Sequence, residues 1–353
     1  MKNIITYKQP HASFKFEGVF YDKTALSSLA SRLISGGEIY QVSLGHFITQ
    51  WLDSSSVIAL QTSGSTGTPK TVVMSKQTMV NSAIATGNYF KLKPGNSALS
   101  CLPFDYIAAK MMFVRAYVLG LELHCIKPTS DPLSTVSRNF DFCALVPFQL
   151  ENSLKKLYHI KTLIVGGAPL SESLKNKLKH TSTMIFETFG MTETVSHIAV
   201  KNISKSATVF ETLPAVSIGI DTRNCLWIEA PQLVSSQIRT NDIVKLISKT
   251  TFEWIGRYDT IINSGGIKIA PEQLEQKLGG IIKERFFITS QKMDPLGEIV
   301  VIVIERPKPY KTLNFDNLEP FMRPKYVYYI NQFIETVSGK IKRQETLDLV
   351  KLE

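Results

Sequence analysis

Ten residues, Gln61-Thr-Ser-Gly-Ser-Thr-Gly-Thr-Pro-Lys70, gather hydroxyls, glycines and a lysine directly after the apolar run Val57-Ile-Ala-Leu60. This is the chemistry of a polyphosphate-gripping loop. Gly64 and Gly67 let the backbone turn and bring N–H groups to an anion, Thr62, Ser63, Ser65, Thr66 and Thr68 offer donors, and Lys70 adds a charge. It is not the Walker pattern, because Pro69 stands where that motif needs a glycine before its lysine. A flexible surface linker is the competing reading of the same composition. Other residues with chemical potential also read two ways. Gly166, Gly167 and Ala168 form either a plain strand-to-helix turn or a ligand loop. Lys340 belongs to the densest basic cluster, Lys340-Ile-Lys-Arg343, which by itself reads as a solvated surface.

The elements that must position these residues alternate. Short apolar runs at 57–60, 98–102, 143–146, 161–165 and 184–186 are each followed by a polar turn and then a helix-like pattern. That predicts an α/β sheet with ligand loops at its strand ends. Thr162-Leu-Ile-Val-Gly-Gly-Ala-Pro-Leu-Ser171 is the clearest case, with Ser171 placed to cap a following helix. From about 205 to 255 the helical patterns vanish and the sequence reads as β, for instance at Asp242-Ile-Val-Lys-Leu-Ile247. A third, α+β region begins near residue 259, with a hairpin predicted around Asp294-Pro-Leu-Gly297.

A chain of 353 residues suits two unequal domains, and 44% hydrophobic with 20% charged residues is a globular composition. The longest apolar run, Ile299 to Ile304, has the length of a buried strand, so no membrane span is expected. The N-terminus lacks an apolar core of signal-peptide length, which suggests a cytoplasmic protein. Cys101, Cys125, Cys143 and Cys225 stand apart without a CxxC pair and read as free thiols. The net charge of +10 is spread along the chain, which fits small anionic ligands better than nucleic acid.

Five segments fall in the order of the motifs of the adenylate-forming superfamily of acyl-CoA synthetases, luciferases and peptide-synthetase adenylation domains. The 62–70 loop resembles its phosphate-binding signature, and Phe189-Gly-Met-Thr-Glu193 its central motif, usually begun by tyrosine. Thr240-Asn-Asp242 resembles the ribose motif, with Asn241 where glycine is usual. The stretch Gly256-Arg-Tyr-Asp-Thr-Ile-Ile-Asn-Ser-Gly-Gly-Ile-Lys-Ile-Ala-Pro-Glu-Gln-Leu-Glu275 resembles the hinge motif, and Ser338-Gly-Lys340 with Arg343 the catalytic lysine motif. The resemblance implies ATP and Mg²⁺ as cofactors and coenzyme A as co-substrate. It gives Thr192 a phosphate contact, Glu193 the Mg²⁺, Asp242 the ribose, and Gly166, Gly167 and Ala168 the adenine, beside Phe189 and Gly190. Arg257 would meet ribose and phosphate, Asp259 would be the pivot, and Gly265 and Gly266 would flank the thiol arm. It further implies a large N-terminal domain of layered α/β sheets with a β-rich subdomain, residues 1–258, and a small mobile α+β C-terminal domain, residues 259–353. The phosphate loop starts early for this superfamily, so a trimmed N-terminal subdomain is expected.

The segment Leu102-Pro-Phe-Asp-Tyr-Ile-Ala-Ala-Lys-Met-Met-Phe-Val-Arg115 speaks to the acid. Arg115, on a largely apolar helix, either snorkels to solvent or meets a second carboxylate on the substrate. The second option is similar to the o-succinylbenzoate–CoA ligase branch of menaquinone synthesis, which Ala144-Leu-Val-Pro-Phe-Gln-Leu150 and Met191-Thr-Glu-Thr-Val-Ser-His-Ile198 also resemble. Lys110, Gln149 and His197 are further candidates for that pocket, His197 being equally readable as structural. A carboxylic acid, ATP and CoA are then the small-molecule partners, with a homodimer as an option. A different acid, a carrier-protein acceptor, or an inactive adenylate-binding protein are the alternatives.

Overall fold

Residues 97–190 build a parallel sheet because each apolar run is too short for a buried helix and ends in a turn. A computed structural model describes residues 5–61, 71–234, 236–295, 297–307, 313–335 and 341–350. The chain divides into two compact units, the first comprising residues 1–169, 178–218 and 228–238, the second 170–177, 219–227 and 239–353.

In the first unit the strands are β1 (Lys15–Phe16), β2 (Val19–Phe20), β3 (Val57–Gln61), β4 (Thr71–Ser75), β5 (Ser97–Ser100), β6 (Glu122–Cys125), β7 (Phe140–Leu145), β8 (Ile160–Val165), β9 (Met184–Gly190), β10 (His197–Asn202) and β11 (Phe210–Thr212). The main sheet runs β11-β10-β9-β8-β7-β5-β6-β1-β2. Strands β9, β8, β7, β5, β6 and β1 are parallel, flanked by antiparallel pairs at either end. Parallel strands are buried on both faces, which is why β5, β7 and β8 read as near-continuous apolar runs. One expectation changes: the run at 57–60 is not a strand of this sheet but pairs antiparallel with β4 in a separate two-stranded sheet.

The helices of this unit include α1 (Lys23–Gly36), α2 (Ile39–Leu52), α3 (Lys76–Phe90), α4 (Ile107–Leu119) and α5 (Pro147–Asn152). Helix α4 packs on α3, β5 and β6, and residues 111–118 are all buried. An apolar stripe cannot be defined on a helix enclosed all round. It stops at Gly120, whose φ of 72° ends the helix in the left-handed region.

In the second unit, α6 (Glu172–Leu178), whose last residue the first unit claims, is capped as expected: the Leu174 N–H donates to Ser171 Oγ at 3.1 Å. Strands β12 (Ser217–Ile220), β13 (Cys225–Glu229), β14 (Ile238–Leu246) and β15 (Thr251–Arg257) follow in that order, confirming the β reading of 205–255. Then come β16 (Ile262–Ser264), β17 (Ile267–Ile269), α7 (Pro271–Leu278), β18 (Phe286–Met293), β19 (Gly297–Glu305), β20 (Tyr326–Ile330) and α8 (Arg343–Val350). Strands β18 and β19 form the predicted hairpin, Met293 opposite Gly297. Along β19, Val300, Ile302 and Ile304 join the core under α7, while Ile299, Val301 and Val303 join the core with Leu347 and Val350 of α8. Burial on both faces explains the longest apolar run, each such side chain contributing about 1.5–3 kcal/mol.

Candidate active site

Four of the segments singled out in the sequence lie at the carboxyl ends of neighbouring parallel strands. Residues 101–106 follow β5, Gln149 follows β7, Gly166-Gly167-Ala168 follow β8, and Phe189-Gly190 end β9. That edge is where open α/β sheets bind ligands. Gly167 has a φ of 91°, and Gly167 and Ala168 are exposed. Phe189 packs at 5.9 Å, ring to ring, against Phe210.

Gly190 is required by close approach. A Cβ there would lie 2.3 Å from the Ser196 carbonyl oxygen and 2.5 Å from His197 Cα. The intervening turn is a short 3₁₀ helix, Thr192–Thr194, tied by Thr194 Oγ1, which takes the Met191 N–H at 3.0 Å and lies 2.8 Å from the Ser196 carbonyl. Glu193 is exposed. Among the described residues no three His, Cys, Asp or Glu gather around a common point. A lone exposed carboxylate fits Mg²⁺, which is held by one or two carboxylates together with waters and substrate phosphates.

Val195, next in the chain, has φ 68° and ψ −48°, and the Ser196 N–H donates back to the Thr194 carbonyl at 2.7 Å. This is a γ-turn of the rare, strained kind, here on a fully buried β-branched residue, at a cost on the order of 1–3 kcal/mol. The turn delivers Ser196 to Arg115: Nη2 donates to Ser196 Oγ at 2.7 Å, and Nη1 points at Met112 Sδ at 3.6 Å.

Arg115 is 2% exposed, so it does not snorkel. Burial pulls its guanidinium down to about 10, which leaves it charged at neutral pH, and none of the described carboxylates pairs with it. Ser196 Oγ also lies 3.3 Å from His197 Nδ1. Burial, then the Arg115 charge, hold His197 down to about 3, so this imidazole is neutral. Where Ser196, accepting from Arg115, donates its own proton to His197 Nδ1, the imidazole proton lies on Nε2. Arg115 Nε and His197 Nε2 are both buried without a hydrogen-bond partner among the described residues. The result is a buried cation with an unsatisfied donor, and a buried imidazole nitrogen that is likewise unpartnered, a local chemistry that calls for an anionic acceptor.

The other pocket candidates have partners of their own. Lys110 donates to the Asp105 carbonyl at 3.4 Å and rests over the Phe47 ring, with burial lowering its ammonium. Five residues along a helix from Arg115, it faces elsewhere. Gln149 is committed to backbone, donating to the carbonyls of Cys101 at 3.1 Å and Thr129 at 3.0 Å. Ser196 was not a candidate from sequence, although it lies within the 191–198 segment quoted there: it meets Arg115 across 81 positions.

In the second unit Asp242 is buried, and burial raises its carboxyl above the ordinary range. Trp254 Nε1 donates to its Oδ1 at 2.9 Å. Asn241 replaces the usual glycine by finding a partner, its Oδ1 accepting from Arg223 Nη1 at 3.3 Å. Arg257 clasps Asp259 through two bonds, Nε to Oδ1 at 2.9 Å and Nη2 to Oδ2 at 2.7 Å, which holds Asp259 below the usual carboxylate range. Gly265 and Gly266 form the two-residue turn between β16 and β17, with φ of 58° and 85°. The loop Thr62, Ser63, Gly64, Ser65, Thr66, Gly67, Lys70 and the lysine Lys340 lie outside the described residues.

A profile of the AMP-binding enzyme family matches residues 45–220. A solved acyl-CoA synthetase (AMP-forming)/AMP-acid ligase II-like protein from Dyadobacter fermentans is 31% identical, with a TM-score of 0.61 over 92% of this chain and 98% of that one. The 2-succinylbenzoate–CoA ligases of Listeria monocytogenes and Haemophilus influenzae are 23% and 26% identical, over 84% and 81% of this chain and 70% and 69% of theirs. The fold is shared with o-succinylbenzoate coenzyme A synthetase from Bacillus subtilis, solved with ATP and magnesium ion, at 17% identity and a TM-score of 0.74 over 92% of this chain and 82% of that one. Among the described residues no helix is long and apolar enough to cross a membrane. With four of the singled-out segments at the carboxyl edge of the sheet and a 31% identical relative matched over nearly its whole length, this chain belongs to the AMP-binding family of adenylate-forming acid–CoA ligases.

Proposed function

We propose that this enzyme converts o-succinylbenzoate to o-succinylbenzoyl-CoA, a step of menaquinone synthesis, through an acyl-adenylate and in the cytoplasm. The observation that carries this reading is the buried Arg115 guanidinium with no carboxylate among the described residues to neutralise it. A substrate with two carboxylates supplies what is missing, one to be adenylated and one to take Arg115 Nε and His197 Nε2. The names of the Listeria, Haemophilus and Bacillus relatives support the same acid.

In this reading the adenylating step joins two anions, so charge on the phosphate oxygens must be offset. Thr192, the 62–70 loop and Lys340 do so on the protein's side, and Glu193 holds the Mg²⁺. The metal, when bound, neutralises phosphate charge. Asp242 accepts the ribose hydroxyls, Gly166, Gly167 and Ala168 lie against adenine beside Phe189 and Gly190, and Arg257 exchanges Asp259 for ribose and phosphate. The 259–353 domain turns at Asp259 between the two half-reactions, and coenzyme A passes Gly265 and Gly266.

The test is pyrophosphate release with ATP and Mg²⁺ over a panel of acids, with and without coenzyme A. Turnover confined to o-succinylbenzoate, with a CoA thioester as product, is the expected result. Turnover on monocarboxylates alone would overturn the acid assignment and leave the ligase chemistry standing.

A further inference from the structure

Asp242 and Arg257 face each other across the β14–β15 ladder, and Ile243 faces Gly256. The register then slips, so that Val244 pairs with Trp254 and Ile255 is left over as a bulge. The slip has a consequence for side-chain direction. In an unbroken ladder Trp254, three residues from Arg257, would point to the opposite face from Asp242. The extra residue turns it to the same face, which is how bulges re-aim side chains beside functional sites. Trp254 Nε1 thereby reaches Asp242 Oδ1 at 2.9 Å, while the Asp242 N–H donates to Thr240 Oγ1 at 3.0 Å. Burial raises the Asp242 carboxyl, and the Trp254 and Thr240 side-chain hydrogen bonds together with the Arg257 charge act against that rise.

We propose that Trp254 is a positioning residue for the nucleotide: its indole N–H fixes the Asp242 carboxylate in the one orientation that presents its remaining acceptor sites to the ribose diol. The inference rests on Asp242 being the ribose partner. A carboxylate's terminal torsion is broad and two-fold, so without a fixed donor its oxygens sweep a range of directions. An indole N–H can only donate and an ionised carboxylate can only accept, so this pair has one polarity and cannot exchange roles. A diol bridging one carboxylate needs both hydroxyls aligned at once, and it is this alignment, rather than charge, that Trp254 provides.

The test uses the full chain and calorimetric titration with AMP, 2′-deoxyAMP and 3′-deoxyAMP, for the wild type, Trp254→Phe, Asp242→Asn and the double variant. Removing a ribose hydroxyl should weaken wild-type binding about tenfold. Trp254→Phe should shrink that ratio several-fold, and should add nothing once Asp242→Asn is present. If Trp254→Phe keeps the wild-type ratio, or weakens all three nucleotides equally in both backgrounds, the indole is packing and the proposal fails. If the wild type and Asp242→Asn show the same ratio, the ribose reading of Asp242 fails first and takes the proposal with it. Should Trp254→Phe not fold, the wild-type indole N–H resonance of Trp254 decides: it must shift both on AMP addition and in Asp242→Asn, and a resonance indifferent to both overturns the assignment.

Discussion

A guanidinium removed from water loses several kcal/mol of hydration unless a partner compensates. Arg115 has only the neutral Ser196 hydroxyl and a methionine sulfur among the described residues. Arg115→Ala should therefore raise the KM for o-succinylbenzoate about ten- to a hundredfold, the worth of a charge-assisted contact, and leave the KM for ATP unchanged. Steady-state pyrophosphate release checks this, and equal KM values for the acid in both proteins would remove the dicarboxylate argument. His197 tests the electrostatics from the other side. Its value of about 3 lies below the ordinary 6.5, so it stays neutral in the folded chain while the unfolded chain takes up a proton. Stability from this group is present above pH 6.5 and is lost as pH falls toward 3. Its imidazole resonances should accordingly stay constant from pH 8 to 5, and a midpoint near 6.5 would contradict the buried neutral tautomer.

Between residues and the whole stands the unit β9, 3₁₀ turn, β10. Gly190 and His197 are paired across the ladder, and the backbone of Ser196 and His197 presses on the Gly190 Cα. Because the listener at this contact is backbone rather than a flexible side chain, a methyl group cannot be absorbed by a rotamer change. Gly190→Ala should displace the Ser196–His197 corner and lower kcat/KM for the acid by at least about tenfold, with far-UV circular dichroism retained. The strained Val195 belongs to the same argument. Its conformation persists because Thr194 Oγ1 ties both sides of the turn, so the element, not the residue, stores the strain. The bulge on β15 works likewise, aiming Trp254 through ladder register and not through its own preference.

At the scale of the molecule, the segments singled out in the sequence are divided between two compact units. The first holds the acid-pocket candidates and the central motif, the second the ribose and hinge motifs. A two-step ligase needs such a division if one set of groups serves adenylation and another thioester formation. Lys340→Ala should cost roughly 3 to 4 kcal/mol in the first step, about two to three decades of rate. Formation of the thioester from pre-made acyl-adenylate should be nearly unaffected. Single-turnover measurements of the two half-reactions check this, and equal losses in both would contradict a lysine used in one step alone.

How much of this was legible in the linear chain depends on the range of the interaction concerned. Strand positions at 98–102, 143–146, 161–165 and 184–186, the β18–β19 hairpin and the Ser171 cap were readable because periodicity and turn chemistry act over a few residues. The motif order was readable because each motif packs its chemistry into consecutive residues. Tertiary structure alone decided that Arg115 is buried, since a helix enclosed on all sides has no periodicity to separate an inward arginine from a snorkelling one. It also decided that Gln149 serves the backbone, that the run at 57–60 leaves the main sheet, and that Ser196 and Trp254 hold the two candidate binding groups. Composition and local propensity determined what chemistry this chain carries, because they belong to residue types and short spacings. Which side chains meet was decided by strand register and by burial, which exist only once distant segments have packed.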